Sequence, residues 1–345
     1  MQNRRNGLLL FTLLTVALTL PLLAADSPGY TVTMLPLPGA SPAGIGMDYL
    51  GYDPSTNSVW VPAGNTGSVD VVDAATNKVT QLTGFPSGEM GSATRKRIVG
   101  PSSVTIGKGT VYIGDRFDSS VCALDASTHK RGACVKLDSM PDGLAYVAST
   151  NEVWVTTPRD KTIRILDSTT LVQKEKLTFE GNPEGFAVDG TRGRFYTNME
   201  DKDLTLAIDL KSRKTVATWK PACGEDGPHG IKLDEKGGYL MVACSTKTEV
   251  LDVGKTGAVL SSVDTGDGVD DLDYASATHL VYVGAAKAGE LTIAHLDAAG
   301  KLTVVAKVPT HAGARNGVIA TNGTLFLGHS GLGNLSDLVV VAPKK

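Results

Sequence analysis

Seven polar residues recur along this chain, each at the start of a short segment rich in small and apolar residues. Aligned on that position, the set is Asp48, Ser102, Asp142, Glu184, His229, Asp270 and Asn316. Oxygen ligands suit hard cations such as Ca²⁺ and Mg²⁺, whereas Zn²⁺ and Cu²⁺ prefer more nitrogen or sulfur. If the side chains converge, they predict a divalent cation site, with Ca²⁺ or Mg²⁺ favoured over Zn²⁺ or Cu²⁺. Its predicted ligands are Asp48, Asp142, Glu184, His229 and Asp270.

The same positions, with nearby basic residues, also suggest a ligand site or a catalytic site. A histidine beside a carboxylate can act as a general base near neutral pH, and an arginine can hold an anionic substrate. For catalysis the candidates are His229, Glu184 and Arg315. For ligand binding they are Asp48, Asp142, Asp270, Asn316, Arg116, Arg159, His311 and His329.

A structural alternative competes with both interpretations. A polar residue that repeats in every unit can simply bond to backbone amides of the neighbouring loop, because buried polar groups need partners. The sequence leaves this alternative open. It contains no GxSxG elbow, phosphate-binding loop or zinc-protease motif.

The elements that carry these residues are short β-strands. The polar positions are 54, 40, 42, 45, 41 and 46 residues apart, and a period of about 40–50 residues with several strands per unit is typical of a β-propeller. The third unit reads as four strands, PDGLAYV, EVWVTTP, TIRILD and VQKEKLTF, separated by turn residues. The sequence therefore predicts an all-β, seven-bladed propeller of four-stranded antiparallel blades.

The last unit has only three strands before the chain ends, and a spare strand lies at the other end. Adding Tyr30 to Leu37 to the last blade would close the ring and leave no unpaired seam between blades.

A second repeat supports this division into units, because the third strand of six units ends in aspartate. Each can accept backbone hydrogen bonds in the turn that follows, and the six are Asp73, Asp125, Asp167, Asp209, Asp252 and Asp297.

Residues 1–25 have the pattern of a secretory signal peptide. Arg4 and Arg5 precede an apolar run from Leu8 to Leu23, and Ala24-Ala25 offers small residues for cleavage. A retained membrane anchor is the alternative, since the run is near the lower length limit for a membrane span. We expect one propeller domain over residues 26–345, located in the periplasm or secreted, with no transmembrane span after cleavage.

The charge balance argues against a nucleic-acid partner. The chain has 33 Lys and Arg against 36 Asp and Glu. Loss of the leader removes two arginines and no acid, which leaves a net charge of −5. Such weak acidity gives no electrostatic basis for binding phosphate backbones. We expect a monomer that binds a small molecule, or a protein or polysaccharide of the cell envelope.

The four cysteines should be disulfide-bonded in an exported chain. Cys122 and Cys134 lie on consecutive strands around one turn, so they can face each other across a hairpin. Cys223 precedes the innermost strand of its blade, and Cys244 ends the next strand at the same rim. We therefore predict the pairs Cys122–Cys134 and Cys223–Cys244.

Residues 83–100 lengthen the first repeat interval. A long loop inside a compact repeat often covers a site or contacts a partner. The Gly, Ser and Thr content of this segment fits simple disorder equally well. The sequence leaves its role open.

The repeats resemble those of the YVTN-type, or YncE-like, propellers, a family of exported repeat proteins. The residues that carry the resemblance are the second-strand strings FYTN (195–198), VYVG (281–284), VYIGD (111–115) and VWVTT (153–157). It covers about residues 30–343. The resemblance implies a ligand- or partner-binding protein of the cell envelope.

A weaker similarity is to the seven-bladed lactonase propellers. It rests on GPHGIKLDEKGGYLMVAC (227–244), where His229 directly follows Pro228 and the arginine of that family is absent. This similarity implies a hydrolase of lactone or ester type. The sequence thus favours a binding protein, with a hydrolase on the same face as the alternative.

Overall fold

The structure is a closed ring of seven antiparallel four-stranded β-sheets. It is a computed structural model and describes residues 29–39, 45–92, 95–330 and 336–344. The predicted all-β, seven-bladed architecture is confirmed. The predicted leader, residues 1–25, lies outside the described residues. Among those residues, no helix has the length and apolar character needed to cross a membrane.

Each blade begins at the channel with its innermost strand, and the chain then moves outward strand by strand. Blade one consists of β2(Gly51–Asp53), β3(Ser58–Ala63), β4(Ser68–Asp73) and β5(Val79–Thr83). Blade two consists of β8(Pro101–Gly107), β9(Thr110–Asp115), β10(Ser120–Asp125) and β11(Arg131–Lys136). Blade three consists of β12(Leu144–Val147), β13(Glu152–Thr157), β14(Thr162–Asp167) and β15(Gln173–Thr178). Blades four and five consist of β16(Pro183–Asp189), β17(Arg194–Met199), β18(Leu204–Asp209) and β19(Thr215–Trp219), then β20(Pro228–Asp234), β21(Tyr239–Cys244), β22(Lys247–Asp252) and β23(Val259–Asp264). Blade six consists of β24(Val269–Ala275), β25(Leu280–Ala285), β26(Glu290–Leu296) and β27(Leu302–Pro309).

The seventh blade combines the two ends of the described chain. Its strands are β28(Ala314–Ile319), β29(Leu325–Ser330), β30(Ser336–Pro343) and, outermost, β1(Tyr30–Pro36). β1 pairs with β30 in unbroken antiparallel register from Tyr30↔Pro343 to Pro36↔Asp337. The predicted closure by the N-terminal strand is therefore confirmed.

The core lies between blades rather than within them. Each of the seven apolar clusters takes side chains from two neighbouring blades. Between blades three and four, for example, the rings of Trp154 and Phe195 stack with centroids 4.7 Å apart. The strands alternate so that each blade packs one face on each neighbour, which fixes the ring and leaves a channel along its axis.

Most of the repeated aspartates fix the turn after the third strand, as predicted. In Asp73, Asp125, Asp167 and Asp209 one carboxylate oxygen accepts the backbone N–H groups two and three residues later. Asp297 accepts those of Ala299 and Lys301. Asp252 differs, because its longer turn is held through backbone groups, with Gly257 N–H donating to its carbonyl at 2.6 Å.

Both predicted disulfides are present. Cys122 and Cys134 are direct partners in the β10–β11 register, with Cα atoms 4.1 Å apart. Cys223 and Cys244 join the loop before β20 to the end of β21, with Cα atoms 5.2 Å apart. No free cysteine remains.

The insertion at 83–100 forms a β-hairpin on the face of the ring where the innermost strands begin. Its strands are β6(Gly88–Ser92) and β7(Arg95–Val99), paired from Gly88↔Val99 to Ser92↔Arg95. Three short 3₁₀ turns lie on the same face, in connections after second strands: η1(Gly64–Thr66), η2(Pro158–Asp160) and η3(Glu200–Lys202).

Candidate ligand and metal site at the channel mouth

The repeated polar residues reach the channel through a local irregularity of the innermost strands. In blades two, four, five, six and seven the register shifts at the polar position, as in a β-bulge, for example between Pro228 and Ile231 around His229. A bulge leaves a residue outside the ladder and re-aims its side chain. In blades one and three, Asp48 and Asp142 instead lie just before the strand begins.

The bulges also require close approach between neighbouring blades. A Cβ atom on Gly185 would collide with the carbonyl oxygen of His229 in the next blade. A Cβ on Gly230 would collide with Asp271 in the blade after that. The glycine that follows the polar residue in blades four and five is therefore required by backbone contact.

Arg116 holds one side of the polar ring. It comes from the loop after β9, and its Nη2 donates to Asp48 at 2.5 Å and to Asp142. Burial raises the pKa of Asp48 to about 7, and the charges of Asp142 and Asp270 add to the effect of burial while Arg116 opposes it. The nearby carboxylates raise the pKa of Arg116 despite its burial.

Asn316 joins this side to the rest of the ring. Its Nδ2 donates to Asp48 at 2.9 Å and to Asp270 at 2.7 Å. The residue is 3% exposed and has a positive φ of 52°, a conformation that asparagine tolerates better than most residues. Its amide therefore fixes two carboxylates from blades one and six at the mouth of the channel.

The other side of the ring is a compact cluster of possible metal ligands. One ligand atom from each of Glu184, His229 and Asp270 lies within 4.8 Å of the other two. His229 Nδ1 is 3.9 Å from Glu184 Oε2 and 3.9 Å from Glu200 Oε1. Both His229 Nδ1 and Glu184 Oε2 are buried and have no hydrogen-bond partner within the described part of the chain.

The electrostatics of this cluster favour a bound cation. Burial raises the pKa of Glu184 well above its ordinary value, and the negative charges of Glu200 and Asp270 raise it further. Buried carboxylates without compensating charge are costly. A cation placed among these three side chains would supply that charge and satisfy the two unpartnered atoms.

Two aromatic rings narrow the channel beneath the polar ring. Tyr49 of blade one and Phe186 of blade four meet across the axis, with ring centroids 5.6 Å apart. Farther along the innermost strands, Lys232 lies 3.7 Å from Asp271. We call the space between the polar ring and these two aromatic rings the funnel.

The remaining predicted residues occupy different places. Arg315 is exposed on the rim, with its Nη2 3.4 Å from Asp270 Oδ2. Arg159 is exposed on η2. His311 is half-buried, with its ring 5.8 Å from that of His329.

His329 points into the protein rather than into the funnel. It is 4% exposed, its Nδ1 lies 2.6 Å from Asp337, and its Nε2 lies 3.1 Å from the carbonyl of Ala312. These contacts give it a structural role between β29, β30 and the preceding loop. A role in ligand binding has no support from this geometry.

Three neighbours of His229 were not singled out by the sequence. Besides Glu200, they are Ser245, whose Oγ is 3.3 Å from Nε2, and Asn198, whose Nδ2 donates to the His229 carbonyl at 2.6 Å. Glu200 and Ser245 directly follow the second strand of their blades, as Arg116 does. That position is the sequence signal that could have found two of them.

The sequences of two curated proteins named YncE align with this chain. The YncE protein of Salmonella typhi is 23% identical over 313 residues, which cover 84% of this chain and 82% of that protein. The YncE protein of Salmonella typhimurium is 24% identical over 283 residues, covering 75% of this chain and 74% of that protein. Together with the seven-bladed fold, these alignments support a YncE-like propeller family.

Solved structures confirm the propeller fold, and their likeness to this chain shows the fold alone. A chain of the mitotic checkpoint complex superposes with a TM-score of 0.73 at 15% identity, covering 99% of both chains. Streptogramin B lyase gives 0.70 at 11% identity, covering 92% of this chain and 99% of that one. Kuenenia stuttgartiensis hydrazine synthase gives 0.70 at 13% identity, covering 89% and 99%. No family model matches the sequence.

Proposed function

We propose that this YncE-like propeller is an exported binding protein that holds a divalent cation and a small ligand in the funnel at its channel mouth. The observation that carries the proposal is the cluster of Glu184, His229 and Asp270, in which one ligand atom of each lies within 4.8 Å of the others. His229 Nδ1 and Glu184 Oε2 have no hydrogen-bond partner among the described residues. The two disulfides support an oxidising compartment.

The ligand set favours Ca²⁺ or Mg²⁺ over Zn²⁺ or Cu²⁺. With Glu200 included, three carboxylates accompany one imidazole, and carboxylates with water suit the harder cations. Asp48 and Asp142 are engaged by Arg116, so we assign them to the support of the site rather than to direct coordination.

The test is cation binding to the purified protein, measured by calorimetry with Ca²⁺, Mg²⁺, Zn²⁺ and Cu²⁺ separately. We expect one site per chain, weakened at least tenfold in Glu184→Gln and in His229→Ala. The matched control is Glu225→Gln, which removes an exposed carboxylate from the loop before β20. A wild-type protein that bound none of the four cations would refute the metal site, as would a Glu184→Gln protein that bound them unchanged.

A hydrolase of lactone or ester type is the second candidate. It is favoured by the position of His229 between two carboxylates, each 3.9 Å from Nδ1, with Arg315 on the rim to hold an anionic group. His229 would take the proton of an attacking water, and Glu184 would orient it. The streptogramin B lyase likeness concerns only the fold of that enzyme.

The two candidates separate in one assay. A panel of lactones and esters is incubated with cation-loaded wild type, His229→Ala and Glu225→Gln. Turnover that disappears only in His229→Ala supports the hydrolase. Absence of turnover in the wild type rejects it and leaves the binding protein.

A further inference from the structure

A cavity beside the polar ring lies between the inserted hairpin and the innermost strands of blades one and two. It has a volume of about 210 Å³. Arg97 and Ile98 of β7 form one wall, Asp48 and Ser102 of the polar ring form another, and Arg116 and Arg315 complete it. A cavity needs about 10–15 Å³ of such space to hold one water, so this cavity has room for a charged group with several carbon atoms.

The charges around this cavity are predominantly positive. Three guanidinium groups line it, against the single carboxylate of Asp48. That carboxylate already accepts from Arg116 and Asn316. Arg97 is exposed and makes no ion pair with any residue in the described part of the chain. The side chain of Arg315 is 46% exposed, and its nearest carboxylate oxygen is 3.4 Å away.

Two buried polar atoms on the lining residues lack hydrogen-bond partners among the residues that the structure describes. They are Nε of Arg116 and Oγ of Ser102, and both can donate. Buried donors are nearly always satisfied, so an unsatisfied pair indicates that an acceptor is absent. Oxyacid groups accept several hydrogen bonds at once and match the fork of arginine donors.

The cavity is linked to the proposed cation site through Arg315 and Asn316. Arg315 lines the cavity and contacts Asp270 of the cation cluster. Asn316 bonds both to Asp48, which lines the cavity, and to Asp270. A ligand with its anionic group in the cavity could therefore place a second oxygen group on the cation.

We propose that the ligand of this propeller is a small oxyacid, a carboxylate or phosphate compound, whose anionic group binds under the β6–β7 hairpin on Arg97 and Arg315. This inference rests on the proposed binding function and names its class of ligand. The hairpin is then one wall of the site, and its removal exposes the cavity.

The experiment compares two neighbouring charges on the same strand. Arg97 lines the cavity, whereas Lys96 is paired with Glu89 at 3.1 Å. Adjacent residues of a strand face opposite sides, so Lys96→Ala removes the same charge from the same hairpin without touching the cavity. Binding of citrate, inorganic phosphate and neutral glycerol is measured by calorimetry with and without the cation.

We expect citrate or phosphate to bind and glycerol not to bind. Arg97→Ala and Arg315→Ala should weaken anion binding at least tenfold, and Lys96→Ala should stay within twofold of the wild type. If citrate binds more tightly than phosphate only when the cation is present, a carboxylate of citrate bridges the cavity and the cation. If phosphate binds without the cation, the cavity is an anion site that does not depend on the cation.

Three results would overturn the inference. They are the absence of anion binding at millimolar concentration, an anion affinity of Arg97→Ala equal to that of the wild type, and a loss of anion affinity in Lys96→Ala as large as that in Arg97→Ala. Cation binding is measured in the same samples. Cation binding without anion binding rejects this inference alone. Anion binding without cation binding rejects the metal site of the proposed function alone.

Discussion

At the scale of single residues, the channel mouth has one side whose carboxylates are paired with donors and one side where a buried carboxylate oxygen is not paired. Asp48 and Asp142 share a guanidinium, and Asn316 supplies amide donors. Glu184 and His229 face each other with unpartnered atoms. The structural alternative, in which repeated polar residues only lock blades together, accounts for the first side and not for the second.

Glu184 should make the cation-free protein less stable as the pH rises. Burial raises the pKa of Glu184 in the folded state, so the native state holds a proton that the unfolded chain has released, and stability falls as the pH rises above the ordinary carboxyl range toward the folded-state pKa. Glu184→Gln should remove this penalty and raise the free energy of unfolding at pH 8 by at least about 1 kcal/mol. Denaturant titrations with chelator at pH 5 and 8 measure it.

The matched variant for that measurement is Glu225→Gln, which should leave the pH dependence unchanged. Added cation should stabilise the wild type at pH 8 and leave Glu184→Gln unaffected. If Glu184→Gln lost as much stability from pH 5 to 8 as the wild type does, the assigned burial of the charge would be wrong.

His329 should act on stability and not on binding. Its hydrogen bond to Asp337 raises the pKa of the imidazole, so the added stability is complete below about pH 6.5 and declines as the pH passes the folded-state value. His329→Ala leaves a buried carboxylate unpaired and should cost about 1–3 kcal/mol, more at pH 6 than at pH 9. Thermal unfolding of His329→Ala and of half-buried His311→Ala measures the difference, and equal losses would contradict the structural role.

At the scale of elements, every blade has the same four strands, but the turns and loops that connect the strands differ between blades. The turn after the third strand is fixed by a carboxylate in blade three and by backbone groups in blade five. The inserted hairpin belongs to the connection between blades one and two and gives the face its asymmetry. Specialisation therefore comes from connections, while the strands repeat.

The blade-three turn should depend on its aspartate. Asp167 accepts the N–H groups of Thr169 and Thr170 at 3.0 and 2.9 Å, so Asp167→Ala should lower the free energy of unfolding by about 1 kcal/mol. Asp252→Ala is the comparison, because its carboxylate makes no such bonds among the described residues, and we expect a smaller loss. Urea titrations of both variants decide, and a larger effect at Asp252 would refute the assignment.

The sequence predicted those features that repeat or pair, and missed those set by local backbone irregularity. The period of the polar residues gives seven blades, and the strand order gives Cys122–Cys134 and Cys223–Cys244. The bulges that aim His229 and Glu184 carry no residue signature beyond a following glycine. The sequence therefore did not show that Glu200 from the adjacent blade lies beside His229.

The hairpin shows the same limit. A segment rich in Gly, Ser and Thr favours neither order nor disorder, and Arg95–Val99 gives too short a strand pattern to decide. The strands of the hairpin pack against the propeller, and this contact favours their order. A Cβ on Gly88 would collide with the ring of Phe117, which lies in the loop after β9.

At the scale of the whole molecule, stability is shared among seven interfaces of similar construction. Each apolar cluster joins two blades, so the loss of one strand affects its own blade and the seam beside it. Because every blade packs against a neighbour on both sides, the loss of one strand also lowers the stability of the neighbouring blades.

Removal of the closing strand should therefore be far more damaging than removal of an ordinary terminus. Deleting residues 30–37 takes away β1 and exposes the edge of β30. Exposed edges of this length pair with other chains, so we expect aggregation or a large fall in melting temperature. Light scattering and thermal unfolding of the protein with and without residues 30–37 test this, and equal melting temperatures would show that the ring closes differently.

The pairing of β1 with β30 also sets the order of events when the chain is made. Thr31 bonds to Ala342, 311 positions away along the chain, so the first strand to be synthesised waits for almost the last. Contacts of such long range form slowly. Until then six blades can assemble while the seventh lacks an edge, and a nascent or truncated chain stays open. Synthesis of β30 therefore acts as a check on ring closure, since β1 has no partner in the seventh blade until residues 336–343 have been made.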